Sequence, residues 1–216
     1  MKNYNYVIIG GGIIGLTIAR ELLHRFPGAA IAILEKEADV AMHSSGRNSG
    51  VLHAGFYYTA DSLKAKFTRE GNLAMKQYCR ERGLPVNECG KLIIAKDESE
   101  LQGLEELKRR GDRNGVELVW LDEVDAAKID PNARTFRKAL YSPATASVDP
   151  VAVCRALKED VIRDGADFHF GTRFIKRREN RIITSSGIYV GDYIINAAGL
   201  YADKIAHEFG FGKDYQ

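Results

Sequence analysis

An α/β fold is the class that this sequence predicts, from three observations near its beginning. Residues 6–9 form a short apolar run rich in branched side chains, which is typical of a buried strand. A G-x-G-x-x-G motif follows in residues 10–15 and opens a stretch of helical periodicity. A second apolar run, residues 31–34, ends next to Glu35. Strand, glycine turn, helix and strand in this order predict a Rossmann-like βαβ unit that binds a dinucleotide.

Each part of this motif has a physical role. Gly10 allows a sharp turn off the strand, Gly12 allows the backbone to approach a pyrophosphate, and Gly15 allows helix and strand to pack closely. The helix N-terminus offers unpaired N–H groups to phosphate oxygens. Glu35, 20 residues beyond Gly15, can accept hydrogen bonds from both ribose hydroxyls of an adenosine, and its charge disfavours the 2′-phosphate of NADP. A turn without a ligand would leave Glu35 unexplained.

The composition of the 216 residues excludes few classes of protein. A hydrophobic content of 45% is ordinary for a globular chain, and a formal net charge of +2 indicates no particular partner. Basic clusters occur at residues 108–113 and 176–181, but no aromatic side chains interleave with them. We therefore expect no nucleic-acid partner.

The cysteines indicate the compartment. Cys79, Cys89 and Cys154 are odd in number and have no C-x-x-C spacing. This pattern predicts reduced thiols in a cytoplasmic protein and no structural zinc, with peripheral attachment to a membrane left open. No apolar run approaches the roughly 18 residues of a spanning helix, and the sequence contains no metal-ligand pattern.

A polar loop follows the βαβ unit. Residues 43–50 are mostly small hydroxyl, amide and glycine residues, which suit a backbone that wraps closely around a ligand. A flexible surface loop has the same composition. However, the chain then turns apolar, and residues 53–58 are typical of a packed segment. We therefore predict that the loop lines the dinucleotide.

The next predicted element is a long helix that ends after about Arg82, before Gly83. Asp61 or Thr59 is expected to cap its beginning. Its apolar face is expected to contain Leu63, Phe67, Ala74 and Tyr78.

The rest of the chain suggests two domains. Residues 84–148 mix short strands and helices, which is typical of a separate, substrate-facing α+β domain. We therefore predict a discontinuous dinucleotide-binding domain, residues 1–83 and 149–216, and a partial substrate domain, residues 84–148.

The second part of the discontinuous domain contains a helix over residues 151–164, a strand at 167–170 and a small antiparallel meander. The last strand of the meander, residues 188–190, is expected to be separate from a buried strand at 193–195. That strand ends in a run of small residues, NAAG, at residues 196–199.

Three separated motifs together resemble the FAD-dependent D-amino-acid-oxidase superfamily. They are the glycine and acid unit already described, SSGRNSGVLHAG at residues 44–55, and NAAGLYAD at residues 196–203. Within that superfamily, SSGRNSGVLHAGFYYTADSLKAKF and CGKLIIA are most similar to L-2-hydroxyglutarate oxidases and dehydrogenases.

The resemblance implies FAD as the cofactor of a Rossmann-like FAD-binding domain. It implies that the polar loop lines the pyrophosphate, the ribityl chain and the flavin ring, and that the late small-residue motif lies against the cofactor. The residues assigned to FAD on this basis are Gly10, Gly12, Ile13, Gly15, Glu35, Lys36, Ser44, Ser45, Asn48, Ser49, Gly50, Val51, Phe174, Ala198 and Gly199.

The implied reaction is oxidation of a small 2-hydroxy acid, L-2-hydroxyglutarate to 2-oxoglutarate, by hydride transfer to flavin N5. Glycerol-3-phosphate dehydrogenase, amino-acid oxidase and a non-catalytic FAD-binding fragment stay open as alternatives. The electron acceptor is oxygen, a quinone or a carrier protein, which the sequence does not distinguish.

The reaction needs a base and a cationic clamp for carboxylates. His53 is the candidate catalytic base, because it is the one histidine in the predicted flavin-lining loop; a structural histidine and a covalent flavin tether are the alternatives. Lys64, Lys66 and Arg69 follow on the long helix and could hold a carboxylate, although a solvated helix face is the favoured interpretation of each of them singly.

Members of the resembled family continue well beyond this length. We therefore expect this chain to be an N-terminal fragment, a split subunit or a truncated product. Unpaired strand edges and uncovered apolar faces favour association. The expectation is that the chain self-associates, needs a partner that supplies the second half, or is ordered only as part of a longer protein.

Overall fold

The computed structural model describes residues 2–214, which divide into two compact units. The first unit contains the chain up to Asn48 and the chain from Pro150 onward, and the second contains Ser49–Asp149. Each unit mixes helices with strands, so the predicted α/β class is confirmed. None of the helices in the described part of the chain is long and apolar enough to cross a bilayer.

The elements alternate along the chain. Its first half contains β1 (Lys2–Ile9), α1 (Ile13–Arg25), β2 (Ile31–Leu34), β3 (Val51–Leu52), α2 (Leu63–Glu81), β4 (Val86–Asn87), β5 (Lys91–Ile94) and α3 (Leu101–Arg113). Its second half contains β6 (Val119–Asp122), α4 (Glu123–Ile129), β7 (Lys138–Ser142), β8 (Ala146–Val148), α5 (Pro150–Arg163), β9 (Asp167–His169), β10 (Phe174–Arg178), β11 (Arg181–Thr184), β12 (Ile188–Asn196) and α6 (Ala202–Glu208).

The first unit is built on a six-stranded sheet in the order β10-β11-β12-β1-β2-β9. Strands β12, β1, β2 and β9 are parallel neighbours, and β10 to β12 form the antiparallel meander. Ile9, at the end of β1, pairs with Leu34 on one side and with Asn196 on the other. The carboxyl ends of these three strands therefore meet at one edge of the sheet, where ligands bind in open α/β folds.

Strand β12 corrects one prediction. Residues 188–190 and 193–195 were expected to be separate strands, but they belong to one nine-residue strand. Gly191 lies inside it, opposite Tyr4 of β1. A Cβ at Gly191 would lie 2.8 Å from Val7 Cγ2, so close packing against β1 explains the glycine and the strand continues through it.

The second unit contains two antiparallel three-stranded sheets, β3-β8-β4 and β5-β7-β6. Its core lies between helix α3 and the chain that follows β3, with Phe56 fully buried. The buried members of this core are Ala54, Phe56, Ala95, Leu104, Val116, Leu118 and Leu140. The core therefore packs directly beneath the segment that begins at His53.

Helix α2 differs from its prediction in cap and in orientation. Ser62, not Asp61 or Thr59, is the N-cap, and its Oγ accepts a hydrogen bond from the Ala65 N–H at 3.1 Å. Three members of the predicted apolar face are exposed, Leu63 at 68%, Phe67 at 59% and Ala74, whereas Tyr78 is buried.

The buried face of α2 is partly polar. Asn72 Nδ2 donates to the carbonyl oxygens of Leu52 at 2.7 Å and Ala144 at 3.1 Å, and Lys76 Nζ donates to Ala144 O at 2.8 Å. These bonds turn the helix so that Asn72 and Lys76 face inward. They also explain why residues 49–83 group with the second unit, whereas the sequence predicted a boundary after residue 83.

Two glycines of α3 provide a matched stability test. A Cβ at the buried Gly111 would lie 2.5 Å from Leu118 Cδ1, whereas a Cβ at the exposed Gly103 would meet nothing within 4 Å. We expect Gly111→Ala to lower the free energy of unfolding by roughly 1–3 kcal/mol through overpacking. Gly103→Ala should raise it by about 0.5–1 kcal/mol, because alanine loses less backbone entropy in a helix. Urea unfolding measures both, and equal effects of the two substitutions would contradict the packing.

Candidate functional site

The turn after β1 requires glycine for steric reasons. Gly10 has φ +112°, and a Cβ there would lie 2.4 Å from the carbonyl oxygen of Ala197. A Cβ at Gly15 would lie 2.0 Å from the carbonyl oxygen of Gly10. The Gly10 N–H donates to Leu34 O at 2.9 Å. The turn is therefore held between the ends of β2 and β12, and larger residues would not fit.

The N-terminus of α1 is suited to an anion. Gly12 is the N-cap and has no capping side chain, and the first turn of the helix contains no acidic residue. The Ile13 N–H donates to Ser45 Oγ at 3.0 Å, so its partner is an uncharged hydroxyl. No carboxylate of the first turn neutralises the positive end of the helix dipole, which is the arrangement that phosphates bind.

Glu35 lies beside this turn. Its Oε2 accepts a hydrogen bond from the Gly11 N–H at 2.8 Å, and its Oε1 accepts one from the Glu37 N–H at 2.9 Å. Its backbone is fixed by the strand beyond, because the Glu35 N–H donates to His169 O at 2.9 Å. Each carboxylate oxygen has lone pairs left over. Glu35 can therefore accept further hydrogen bonds from hydroxyl groups of a ligand.

A charged cluster that the sequence did not predict lies next to Glu35. The Lys36 ammonium contacts the Glu37 carboxylate, and His43 Nε2 lies 2.7 Å from Glu37 Oε1. These two hydrogen bonds, that of Lys36 first, lower the pKa of Glu37 to about 2. Lys36 Nζ also lies 5.3 Å from the ring centre of Tyr201. Lys36, a predicted cofactor residue, is thus held in place by three side chains.

The predicted loop divides between the two units. In the first unit, Asn48 Nδ2 donates to the carbonyl oxygens of Ser44 at 2.9 Å and Ser45 at 3.0 Å, so this side chain shapes the loop. In the second unit, Gly50 has φ +65° and its carbonyl accepts the Val148 N–H at 3.0 Å. Ser49 is exposed, and Val51 pairs with Ser147 of β8.

The late motif lies beside the glycine turn, and its expected position against a cofactor stays a prediction. The Ala197 N–H donates to Ile9 O at 2.9 Å, and a Cβ at Gly10 would lie 3.1 Å from Ala198 Cα. Gly199 is exposed, with φ +56°.

Phe174 takes a packing role in the first unit. Its ring stacks on Phe209 with centroids 6.3 Å apart, against the apolar cluster of Tyr4 and its neighbours. The assignment of Phe174, and of the other sequence-predicted residues, to a cofactor stays a prediction.

His53 lies in the second unit with its side chain exposed. Its ring meets the Tyr57 ring edge-on, with centroids 6.3 Å apart. Surrounding protein atoms, and to a lesser degree the charge of Lys91, hold the pKa of His53 below its ordinary value. The lowered pKa favours the neutral imidazole, whose unprotonated nitrogen can accept a proton.

The segment after His53 is fixed by two side chains that sequence reasoning missed. Asn114 Nδ2 donates to the carbonyl oxygens of Gly55 at 3.2 Å and Tyr58 at 3.0 Å. Arg110 donates to Tyr57 O at 3.0 Å. These partners lie more than 50 residues away along the chain, and no local pattern indicates them.

The three cationic candidates on α2 have different surroundings. Arg69 donates to the Asn114 carbonyl at 2.7 Å, so it supports this segment. Lys64 lies 4.5 Å from the ring centre of Tyr58, and Lys66 lies 5.9 Å from that of Phe67. Both lysines are exposed, which favours the solvated-face alternative for them.

Comparison with protein families matches residues 5–214 to the family described as FAD-dependent oxidoreductase. Curated relatives include three L-2-hydroxyglutarate dehydrogenases. The mitochondrial protein of Nematostella vectensis is 36% identical and covers 99% of this chain and 51% of its own. The Escherichia coli K12 protein is 34% identical, covering 96% and 50%, and the human mitochondrial protein is 35% identical, covering 99% and 50%. The chain thus spans about half the length of the curated relatives it matches.

Two solved structures show the same fold. Glycine oxidase from Geobacillus kaustophilus superposes with a TM-score of 0.89 at 23% identity, covering 98% of this chain and 60% of that one. L-alpha-glycerophosphate oxidase from Mycoplasma pneumoniae, with FAD bound, gives a TM-score of 0.87 at 27% identity, covering 96% and 57%.

The His53 environment can be tested by titration. We expect its pKa, measured from the imidazole C–H resonances by NMR, to lie below 6.5. Lys91→Met should raise this pKa without restoring it fully, because burial is the larger cause. Lys96→Met is the control, since the Lys96 side chain is 80% exposed and pairs with Glu100. A pKa above 6.5 in the unmodified chain, or no response to Lys91→Met, would show that the environment is wrong.

Proposed function

The chain belongs to the FAD-dependent oxidoreductase family, and on that premise we propose that it binds FAD and oxidises a small 2-hydroxy acid, L-2-hydroxyglutarate. The observation that carries the cofactor proposal is the arrangement at the edge of the first unit's sheet. There, a glycine turn, a helix N-terminus without an acid and the Glu35 carboxylate lie together.

This arrangement fits the chemistry of FAD. Its pyrophosphate would accept hydrogen bonds from the first amides of α1, close to Gly12, where a side chain is absent. The ribose hydroxyls of its adenosine half would donate to Glu35, whose two oxygens are already oriented by the Gly11 and Glu37 amides. A Cβ at Gly11 would lie 2.8 Å from Phe168 Cζ and 3.2 Å from Glu35 Cβ. Close packing of Phe168 and Glu35 therefore explains this glycine, and it keeps the carboxylate beside the turn.

The substrate proposal depends on the relatives. Curated proteins 34–36% identical over nearly the whole chain are L-2-hydroxyglutarate dehydrogenases. This chain spans about half the length of these relatives. We therefore propose, on their similarity, that it oxidises L-2-hydroxyglutarate.

Oxidation of the hydroxy acid removes two hydrogens from one C–OH group. FAD, when bound, supplies the acceptor for the hydride that leaves C2. We propose that an imidazole nitrogen of His53 accepts the hydroxyl proton. Its lowered pKa supports this role, since a neutral ring at pH 7 can accept the proton. Tyr57 restrains the ring edge-on, and Arg110 fixes the backbone of Tyr57, which would keep the base oriented.

Glycerol-3-phosphate oxidation is the second candidate, because a 27% identical solved structure is an FAD-bound glycerophosphate oxidase. Both substrates lose a hydride and a hydroxyl proton from a C–OH group. They differ in their anions, which are two carboxylates in one and a phosphate in the other. Direct comparison of the two substrates therefore decides between the candidates.

We expect the purified 216-residue chain, supplied with FAD, to show flavin absorbance. L-2-hydroxyglutarate should bleach that absorbance under anaerobic conditions, and the D enantiomer should not. Absence of retained flavin would contradict the cofactor proposal. Retained flavin that only glycerol 3-phosphate reduces would contradict the substrate proposal, and flavin that no substrate reduces would leave a binding protein without this activity.

His53→Gln tests the assigned base in the same assay. Loss of a general base slows proton transfer roughly 10²–10⁴-fold, so flavin reduction should slow by this factor while FAD binding is retained. His24→Gln, an exposed histidine near the end of α1 in the first unit, is the control and should reduce at the unmodified rate.

A further inference from the structure

Lys91 is a half-buried lysine without an acidic partner. It is the first residue of β5, opposite Ser142 of β7, and the preceding Gly90 N–H donates to Thr145 O at 3.1 Å. Its Nζ lies 4.7 Å from the ring centre of Tyr57. No ion pair joins Lys91 to any carboxylate among residues 2–214.

Two other lysines of the second unit, one buried and one half-buried, do have acidic partners. Lys76 pairs with Glu88 at 3.3 Å, and Lys138 pairs with Glu105 at 2.8 Å. Partial burial of an ammonium without an anion is unfavourable, and the aromatic face of Tyr57 compensates only in part. The three N–H donors of Lys91 are therefore available to an anion from outside the chain.

Lys91 and the assigned base share one aromatic ring. The ammonium lies over the face of Tyr57, and the His53 ring meets Tyr57 edge-on at 6.3 Å. Tyr57 itself is held by packing on Phe56, with ring centroids 4.2 Å apart, and by the Arg110 bond to its carbonyl. The ammonium of β5 and the His53 imidazole thus both lie against one anchored aromatic ring, and no hydrogen bond joins them.

We propose that Lys91 binds the carboxylate of the substrate that lies farther from the reacting hydroxyl, and so selects 2-hydroxy dicarboxylates over monocarboxylates. This assignment rests on the proposed function of His53. A cation bound to the C1 carboxylate, which is bonded directly to the carbon that bears the hydroxyl, would lie beside the base, whereas Lys91 makes no hydrogen bond to His53 and shares only the Tyr57 ring with it. The distal carboxylate of a five-carbon diacid is separated from that carbon by two methylene groups and suits this arrangement.

Binding of two non-reacting acids tests the proposal without turnover. Glutarate and pentanoate have the same length and differ only in the second carboxylate. Titration into the 216-residue chain with FAD, followed at the His53 ring resonances by NMR, should show tighter binding of glutarate. Lys91→Met should weaken glutarate binding roughly ten- to a hundredfold, the effect of losing a charge-assisted hydrogen bond, and leave pentanoate binding unchanged. Lys91→Arg should restore part of the affinity, and Lys96→Met should change neither acid.

Kinetics with L-2-hydroxyglutarate and L-2-hydroxypentanoate separates this proposal from the one it rests on. Lys91→Met should raise KM for the diacid alone. The pH dependence of the reduction rate should still follow His53, with its pKa raised by loss of the Lys91 charge. Equal loss for both substrates would assign Lys91 to the C1 carboxylate and overturn the proposal, as would no loss for either. If the unmodified chain reduces flavin with neither substrate, the proposed oxidation fails, and the glutarate titration still decides whether Lys91 binds a distal carboxylate.

Discussion

The first unit depends on one hydrogen bond, from the Gly11 N–H to the Glu35 carboxylate at 2.8 Å. This bond joins the turn after β1 to the residue after β2. It forms because the two strands pair in parallel and end together, Ile9 beside Leu34. It also needs glycine in the turn, since a Cβ at Gly11 would lie within 3.2 Å of Glu35. The same carboxylate is the one proposed to accept the ribose hydroxyls, so one contact serves the fold and the proposed cofactor site.

Much of this unit could be predicted because its chemistry is local. The spacing of Gly10, Gly12 and Gly15 after an apolar run specifies a turn that only small residues can form. Glu35 follows at the distance that one helix and one strand require. The prediction of β12 was less complete, because the steric reason for Gly191 is its contact with Val7, and such a contact between strands has no signature in the sequence nearby.

The second unit was harder to predict because long-range polar contacts determine it. Helix α2 has apolar residues at helical spacing, yet Asn72 and Lys76 are buried and Leu63 is exposed. The carbonyl of Ala144, about 70 residues away, supplies the partner that reverses the expected orientation. The same limitation applies to Lys91, which is separated from His53 along the chain by helix α2 and strand β4. The sequence pattern indicated Lys64 and Lys66 of α2 as the cationic candidates, although both are exposed.

The interpretation of the first unit rests on Glu35 as the residue that binds the adenosine ribose. The most direct measurement is the FAD dissociation constant of Glu35→Ala, obtained by titrating the apoprotein, with Glu21→Ala as the control. Glu21 is an exposed acid of α1 that pairs with Arg25. Loss of charge-assisted hydrogen bonds to two hydroxyls should weaken FAD binding by roughly 1–3 kcal/mol in Glu35→Ala and leave Glu21→Ala unchanged. Unmodified FAD affinity in a folded Glu35→Ala protein would contradict the assignment.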